Sequence, residues 1–549
     1  MSRSRIIAAG LVALVAMVFG RAAVFEFTTW DDGLHVYENP AYADPAGKSL
    51  VSFLREPYEG LYIPVTYAVW AGVVPVARLG IPDEHGISYN PYPFHVLNIG
   101  LHALAVLVAW RILRLLVPSD WAAAAGAALF AVHPLQVEPV TWISGMRDVL
   151  AGLLALVAIW QFLLFAQART DDRARWWRYV AASLACALAM LAKPGAVITP
   201  LLALVLSLYL VWGRPRLVVL SLVPWLAMAV PVLLVARAAQ PSAAELVSVP
   251  VRHRPMVAAD ALGFYLVKLV WPAGLGPDYG RTPHGVISGE TRPMWVVLVL
   301  AAAVIVAAWR LGHRPALFAV GGAVLVLALL PVLGLVPFEF QRISTVADRY
   351  AYLAMLGAAT ALAGVVASLR SPRGAILAGV AIAAWSGLSF SQTIIWRDSF
   401  SLFDHALRIN PRSWISHHNM AVEMARRGRR HEAIEHYRSA AMLAPLHCRW
   451  LSHYKLHHAS IRDGDVLQAE AHWRLMLEDL PAAQLRGDAN LASSLADAGR
   501  LLAEGGRVDL AEATARKLLE AGALGDATAI MHFASLRRAH AATSQSGGQ

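Results

Sequence analysis

Apolar runs close to twenty residues long recur from residue 6 to about residue 395, and they leave few folds open to the chain. A hydrocarbon slab of roughly 30 Å takes about twenty helical residues to cross, and a helix closes its own backbone hydrogen bonds where no water can. The runs at 6–24, 94–117, 121–137, 142–167, 178–192, 195–212, 217–236, 294–309, 315–336, 350–369 and 374–394 predict an all-α polytopic membrane protein with about eleven transmembrane helices. Composition agrees. Of 549 residues, 57% are hydrophobic and 15% charged, whereas a soluble domain carries about a quarter charged. The first run has no small-residue cleavage site leading into a soluble domain, so it is expected to stay as a helix. Cys186 and Cys448 lie far apart and suggest no disulfide framework.

Arginines give the expected orientation. With the N-terminus inside, Arg3 and Arg5, Arg111 and Arg114, Arg169 to Arg178, Arg214 and Arg216, Arg310 and Arg314, and Arg370 and Arg373 all fall on the cytoplasmic side. The further apolar run 61–78 would break that pattern if it crossed. It is therefore expected to be re-entrant or to lie at the interface within an external loop, 25–93. A second external loop covers 237–293. The net charge of +10 is accounted for by such loops and by membrane lipids, and nucleic acid is not expected as a partner.

Charges not needed for orientation gather on the external side. Asp31 and Asp32 follow the first run directly, an arrangement better suited to holding a hydroxyl, a cation or a proton than to anchoring. His133 and Glu138 lie in the link between two runs, expected to be a very short turn. Arg147 and Asp148 follow at the start of the next helix, and a guanidinium there offers a fork of donors to a phosphate. Against this stands a plain Arg–Asp pair beside a proline-broken hairpin. Lys193 is either a snorkelling loop lysine or part of an anion clamp. Arg252, His253 and Arg254 meet either anionic lipid or a phosphate. Arg349 opens a late run beside Asp348. His95, Asn98 and His102 share one helical face and read as helix-to-helix glue.

After Trp396 the chain turns polar and helical. Ala421, Gly428, Ala433, Tyr437, Ala440 and Pro445 fall where a tetratricopeptide helix pair wants small and aromatic residues, and 451–480 and 487–520 look like weaker copies. The expected division is a membrane domain over 1–395, a tetratricopeptide-like α-solenoid over 396–539, and a disordered tail at 540–549. The solenoid's concave face near Trp414, Asn419 and Tyr437 is the candidate acceptor-binding surface, and a packing lid over the membrane part is the other reading. An odd number of spans would put it outside the cytoplasm.

WDDGLHVYENP at 30–40, HPLQVEPVTWISGMRDVL at 133–150, LAKP at 191–194, ADRYAYL at 347–353 and WRDSFSLFDHALRINP at 396–411, in that order, resemble the transmembrane and tetratricopeptide-repeat family. That family looks like protein O-mannosyltransferases and sits within the multi-spanning glycosyltransferases of the C fold (GT-C), which use lipid-phosphate sugars. The resemblance implies a catalytic carboxylate just after the first span, here Asp31 or Asp32, with Asp31 favoured. It implies lipid-phosphate recognition by basic residues at the outer leaflet, for which Arg147, Lys193 and Arg349 are the candidates. With the Ala- and Arg-rich composition, it points to a bacterial inner-membrane protein with a periplasmic repeat domain.

The reaction implied is an inverting transfer from a polyprenyl-phosphate sugar, mannose among the candidates, to a protein Ser or Thr hydroxyl. A hydroxyl is a weak nucleophile and needs a carboxylate to take its proton. The phosphate leaves as an anion, so the second carboxylate of an ordinary glycosidase is not required. Cations meet its charge. No cofactor is required, although an adjacent carboxylate pair could hold a divalent metal. Two alternatives stay open: a transferase acting on an envelope lipid or glycan, and a non-enzymatic scaffold recruiting partners through its repeats.

Overall fold

The computed structural model describes residues 2–43, 51–83, 85–168, 174–240, 249–310, 316–368, 372–487 and 489–546. Contacts divide the chain into two units, Met1–Asn410 and Pro411–Gln549. The described residues of both are helical, and among them no strand forms beyond two isolated bridges.

The first unit contains α1 (Arg3–Phe19), α2 (Pro64–Ala77), α3 (Tyr92–Leu116), α4 (Asp120–Val132), α5 (Met146–Gln167), α6 (Ala174–Ala192), α7 (Thr199–Leu210), α8 (Pro215–Ala239), α9 (Arg254–Val270), α10 (Val296–Arg310), α11 (Ala316–Leu329), α12 (Met355–Ser368), α13 (Pro372–Thr393) and α14 (Ser399–Ile409). Each of the eleven expected runs coincides with a helix. By length and composition, five described helices can cross a membrane: Arg3–Val24, Tyr92–Leu116, Ile143–Gln167, Pro215–Ala239 and Ile376–Trp396. Five more are apolar but shorter. Among these is α2, whose 14 residues reach only about 21 Å at 1.5 Å per residue. It buries Tyr67, Trp70 and Val74 and packs against α3 and α6.

α5 lies at the centre, packed by α3, α6 and α7. Two thirds of its apolar window is buried, which explains why apolar residues surround it instead of forming a stripe. Elsewhere small residues set the spacing. A Cβ on Gly321 would meet the Gly357 carbonyl at 2.5 Å, and one on Gly357 the Gly321 carbonyl at 2.4 Å, so α11 and α12 touch backbone to backbone there.

The link between α4 and α5 is not a short turn. Residues 133–145 fold into a 3-10 turn, a five-residue helix (Val137–Thr141) and a second 3-10 turn, all buried. Irregular backbone at such depth survives only when protein surrounds it. Here Asn98 of α3 donates to the carbonyls of Pro139, Val140 and Trp142 at 3.3, 3.3 and 2.8 Å. His102 bridges the Tyr352 hydroxyl at 3.0 Å and the Ala131 carbonyl at 3.0 Å. The polar residues of α3 thus hold helix ends together.

The contact boundary falls after Asn410, beyond the 395/396 division expected. α14 packs its apolar face into the first unit: Phe403 meets Trp30 at 6.1 Å, Ser399 accepts from the Thr29 amide, and His405 contacts the Leu275 carbonyl. In the second unit α15 (Trp414–Arg426) pairs with α16 (Arg430–Leu443), α17 (Leu446–Arg462) with α18 (Val466–Asp479), and α19 (Ala489–Glu504) with α20 (Val508–Glu520). Helix α21 (Leu524–Ser546) runs into the stretch expected to be a disordered tail.

Candidate active site

The charged side chains singled out from sequence sit at breaks between helices. Asp31 and Asp32 lead into a π-turn, Gly33–Tyr37. Arg147 and Asp148 occupy the first turn of α5, where the helix dipole favours an acid. Lys193 precedes the 3-10 turn Pro194–Ile198, and Arg349 lies in the 3-10 turn Asp348–Ala351.

The two adjacent aspartates have different surroundings. Both oxygens of Asp32 are engaged by donors. Thr28 gives its amide and hydroxyl to Oδ2 at 2.9 and 3.0 Å, and Ser144 gives its amide and hydroxyl to Oδ1 at 3.0 and 2.6 Å. Asp32 is 1% exposed and ties the first loop to the α4–α5 link. Asp31 is open on one side: its Oδ2 accepts from Arg147 Nη2 at 2.8 Å, while the side chain stays 32% exposed. With four donors on Asp32, the pair has no second carboxylate free to chelate a metal. Among the described residues no group of three or more ligating side chains comes together.

Burial pushes the Asp32 carboxyl up to about 6, against the pull of the Ser144 and Thr28 donors. A carboxyl raised on folding contributes stability that is complete below its unfolded pKa near 4 and is lost as pH rises through 6. The melting-temperature advantage of wild type over Asp32→Asn should therefore shrink between pH 4.5 and pH 7, by a term worth roughly 2 kcal/mol. Comparing the two proteins cancels His35, whose imidazole burial lowers to about 4 and whose effect has the opposite sign. An advantage that grows with pH would contradict this environment for Asp32.

Around Asp31 the cations form a chain. Arg147 and Arg349 lie over the Trp142 ring, 5.1 and 5.6 Å from its centroid. Lys193 is bonded to Asp148 Oδ1 and lies 5.2 Å from the Tyr350 ring centroid. Glu138 receives Arg349 at two points, its amide at 2.8 Å and Nη1 at 2.5 Å, with both side chains almost wholly buried. Asp148, Lys193, Arg349 and Tyr350 share the wall of an open pocket with Ala151, Ala196, Ala328, Pro331, Val332 and Leu353. The pocket thus has a cationic end and apolar sides.

The structure brings Asp31, Arg147, Lys193, Glu138 and Arg349 together and leaves other candidates elsewhere. His133 is buried against the Leu269 carbonyl and the Trp385 ring and serves packing. Arg252, His253 and Arg254 lie at the start of α9, where Arg254 bonds the carbonyls of Val249 and Leu335; among the described interactions no ion pair joins them to the pocket. Tyr437 is buried against His418, between α15 and α16, so it offers no acceptor surface, whereas Trp414 and Asn419 are half-buried.

Sequence reasoning missed the roles of Thr28 and Ser144, whose only signal was a hydroxyl interrupting an apolar stretch. It also gave no role to Tyr279, whose hydroxyl donates to Asp348 at 2.6 Å and ties the second loop to the Arg349 turn. Burial, helped by the charge on Glu138, pushes the Asp348 carboxyl well up.

A family model described as dolichyl-phosphate-mannose-protein mannosyltransferase matches residues 94–238, the stretch carrying Glu138, Arg147, Asp148 and Lys193. Over that stretch the chain is similar to protein mannosyltransferases. It is an integral membrane protein. Among its relatives, protein O-mannosyl-transferase Tmtc2 of Drosophila melanogaster is 34% identical over 117 residues, 21% of this chain and 12% of that protein. Human protein O-mannosyl-transferase TMTC1 is 44% identical over 70 residues, 13% of this chain and 8% of that protein. These matches span well under two thirds of the relatives' length. A crystal structure of ArnT from Cupriavidus metallidurans, solved with undecaprenyl phosphate, superposes over 98% of this chain and 79% of that one at 16% identity. Its TM-score is 0.34, too low for the likeness to bear on the site.

Proposed function

We propose that the chain is an inverting glycosyltransferase that moves a sugar, mannose being the first candidate, from a polyprenyl phosphate to a Ser or Thr hydroxyl of an extracytoplasmic protein. One observation carries the reading: a pocket with Lys193 and Arg349 at its polar end and apolar residues along its sides suits an amphiphile with an anionic head. Asp31 is the base, since it alone of the acidic pair has a face open to an incoming hydroxyl. The acceptor oxygen attacks the anomeric carbon, its proton passes to Asp31 and the bond from that carbon to the phosphate oxygen breaks. Lys193, Arg349 and Arg147 balance the charge left on the lipid phosphate. The second unit, read as a tetratricopeptide-like solenoid on the periplasmic face of a bacterial inner membrane, presents the acceptor.

The test supplies membranes containing the intact chain with labelled polyprenyl-phosphate mannose and glucose. The expected result is label in protein, released by base-catalysed elimination from Ser or Thr. Label in lipid or glycan would move the acceptor to the cell envelope. Folded protein that neither binds nor consumes these donors would overturn the reading.

A further inference from the structure

Within the pocket one group is unaccounted for. Asp148 Oδ1 accepts from Lys193 Nζ, but its other oxygen, Oδ2, is buried with no hydrogen-bond partner. The residue is 6% exposed and forms part of the pocket wall. A carboxylate oxygen taken out of water without a donor is costly, and on a residue that lines a pocket it favours a ligand that brings a donor to it. A bare phosphate at Lys193 and Arg349 cannot do so when fully ionised. An anionic group beside Asp148 would even be repelled, unless a hydroxyl came with it.

We infer that Asp148 is a specificity-determining residue for the donor, its Oδ2 accepting a hydrogen bond from the sugar hydroxyl on the carbon next to the anomeric carbon. This rests on the pocket being the donor site. The choice of hydroxyl follows from connectivity. Oδ1 and Oδ2 belong to one carboxylate, about 2.2 Å apart by standard covalent geometry, and Oδ1 already holds the lysine that meets the phosphate. A hydroxyl reaching Oδ2 must therefore lie close to the phosphate along the sugar ring, and the one on C2 is closest. Hydrogen bonds at that position also strengthen as an oxocarbenium-like centre develops, so the contact would favour the transition state as well as binding.

The test measures binding of four lipids to the intact chain in nanodiscs: polyprenyl phosphate, its mannose and glucose esters, and the ester of 2-deoxy-arabino-hexose. The last is the common C2-deoxy form of both sugars, so one compound controls for both. Wild type should hold at least one of the hydroxylated donors about ten- to a hundredfold more tightly than the deoxy compound, as for a hydrogen bond to a charged group. Asp148→Asn should lose that preference while still binding polyprenyl phosphate, which also reports that it is folded. Lys193→Gln should instead weaken all four lipids together. Equal wild-type affinity for the hydroxylated and deoxy donors would overturn the inference without needing any variant, and so would a preference that survives Asp148→Asn. Wild type binding none of the four would fail the donor-site reading itself, a distinct outcome.

Discussion

Asp31→Asn is expected to slow sugar transfer by about 10²- to 10⁴-fold, the range lost with a general base, while the protein melts within a degree or two of wild type. The asparagine keeps an oxygen for Arg147 Nη2 and removes only the basicity; the Arg147 pair is partly exposed and worth little as a charge pair. Asp32→Asn should do the reverse. Asp32 accepts two backbone amides, Thr28 on Oδ2 and Ser144 on Oδ1. Whichever way the new amide turns, its NH2 faces one of those N–H groups. A buried backbone donor is then left unmade at about 1–3 kcal/mol, and the loss appears as a lower melting temperature. Transfer per folded molecule should fall less than for Asp31→Asn. Initial rates and melting curves on the same preparations check both. If Asp32→Asn melts like wild type and is inactive while Asp31→Asn still transfers, the two roles are exchanged.

The sequence exposes what depends on local composition and hides what depends on distant contacts. The apolar runs are visible because crossing a membrane asks about twenty apolar residues of a helix, a length and composition that five described helices meet. Asp31, Arg147, Lys193 and Arg349 stand out because a charge flanking such a run is costly and needs a reason. The division of labour between Asp31 and Asp32 could not be read. It depends on Ser144, 112 residues away along the chain, folding its amide and hydroxyl onto one carboxylate and not the other. For the same reason His133 looked functional: from sequence, a histidine before proline between two runs is the same whether it faces a pocket or the Leu269 carbonyl. Tyr437 had the right period for a helix-pair repeat, and that period marks the packed face, which is why it is buried. Residues 396–410 looked like the start of the soluble region since Arg397, Asp398 and Asp404 are charged. Their apolar partners Phe403 and Ala406 face the first unit instead.

Glu138→Ala should destabilise the protein by about 3–5 kcal/mol, the cost of leaving a buried guanidinium without its counter-charge. Arg349 donates to Glu138 from both its backbone and its side chain, and neither residue is more than 5% exposed in its side chain. Glu138→Gln keeps one acceptor oxygen and should cost less. Loss of fold alone cannot say whether Arg349 also meets a phosphate, and replacing the pair separates the two roles. Glu138→Leu with Arg349→Met removes both charges together, and buried pairs exchanged for apolar residues of similar size are often neutral or more stable. The double variant should recover most of the melting temperature lost in Glu138→Ala. It should still bind polyprenyl phosphate at least tenfold more weakly than wild type, since a cation at the polar end of the pocket is gone. A stable double variant with wild-type affinity for polyprenyl phosphate would confine Arg349 to a structural role and leave Lys193 and Arg147 to hold the donor. The outcome turns on where the α4–α5 link sits: Glu138 is buried there and holds Arg349, which lines the pocket wall.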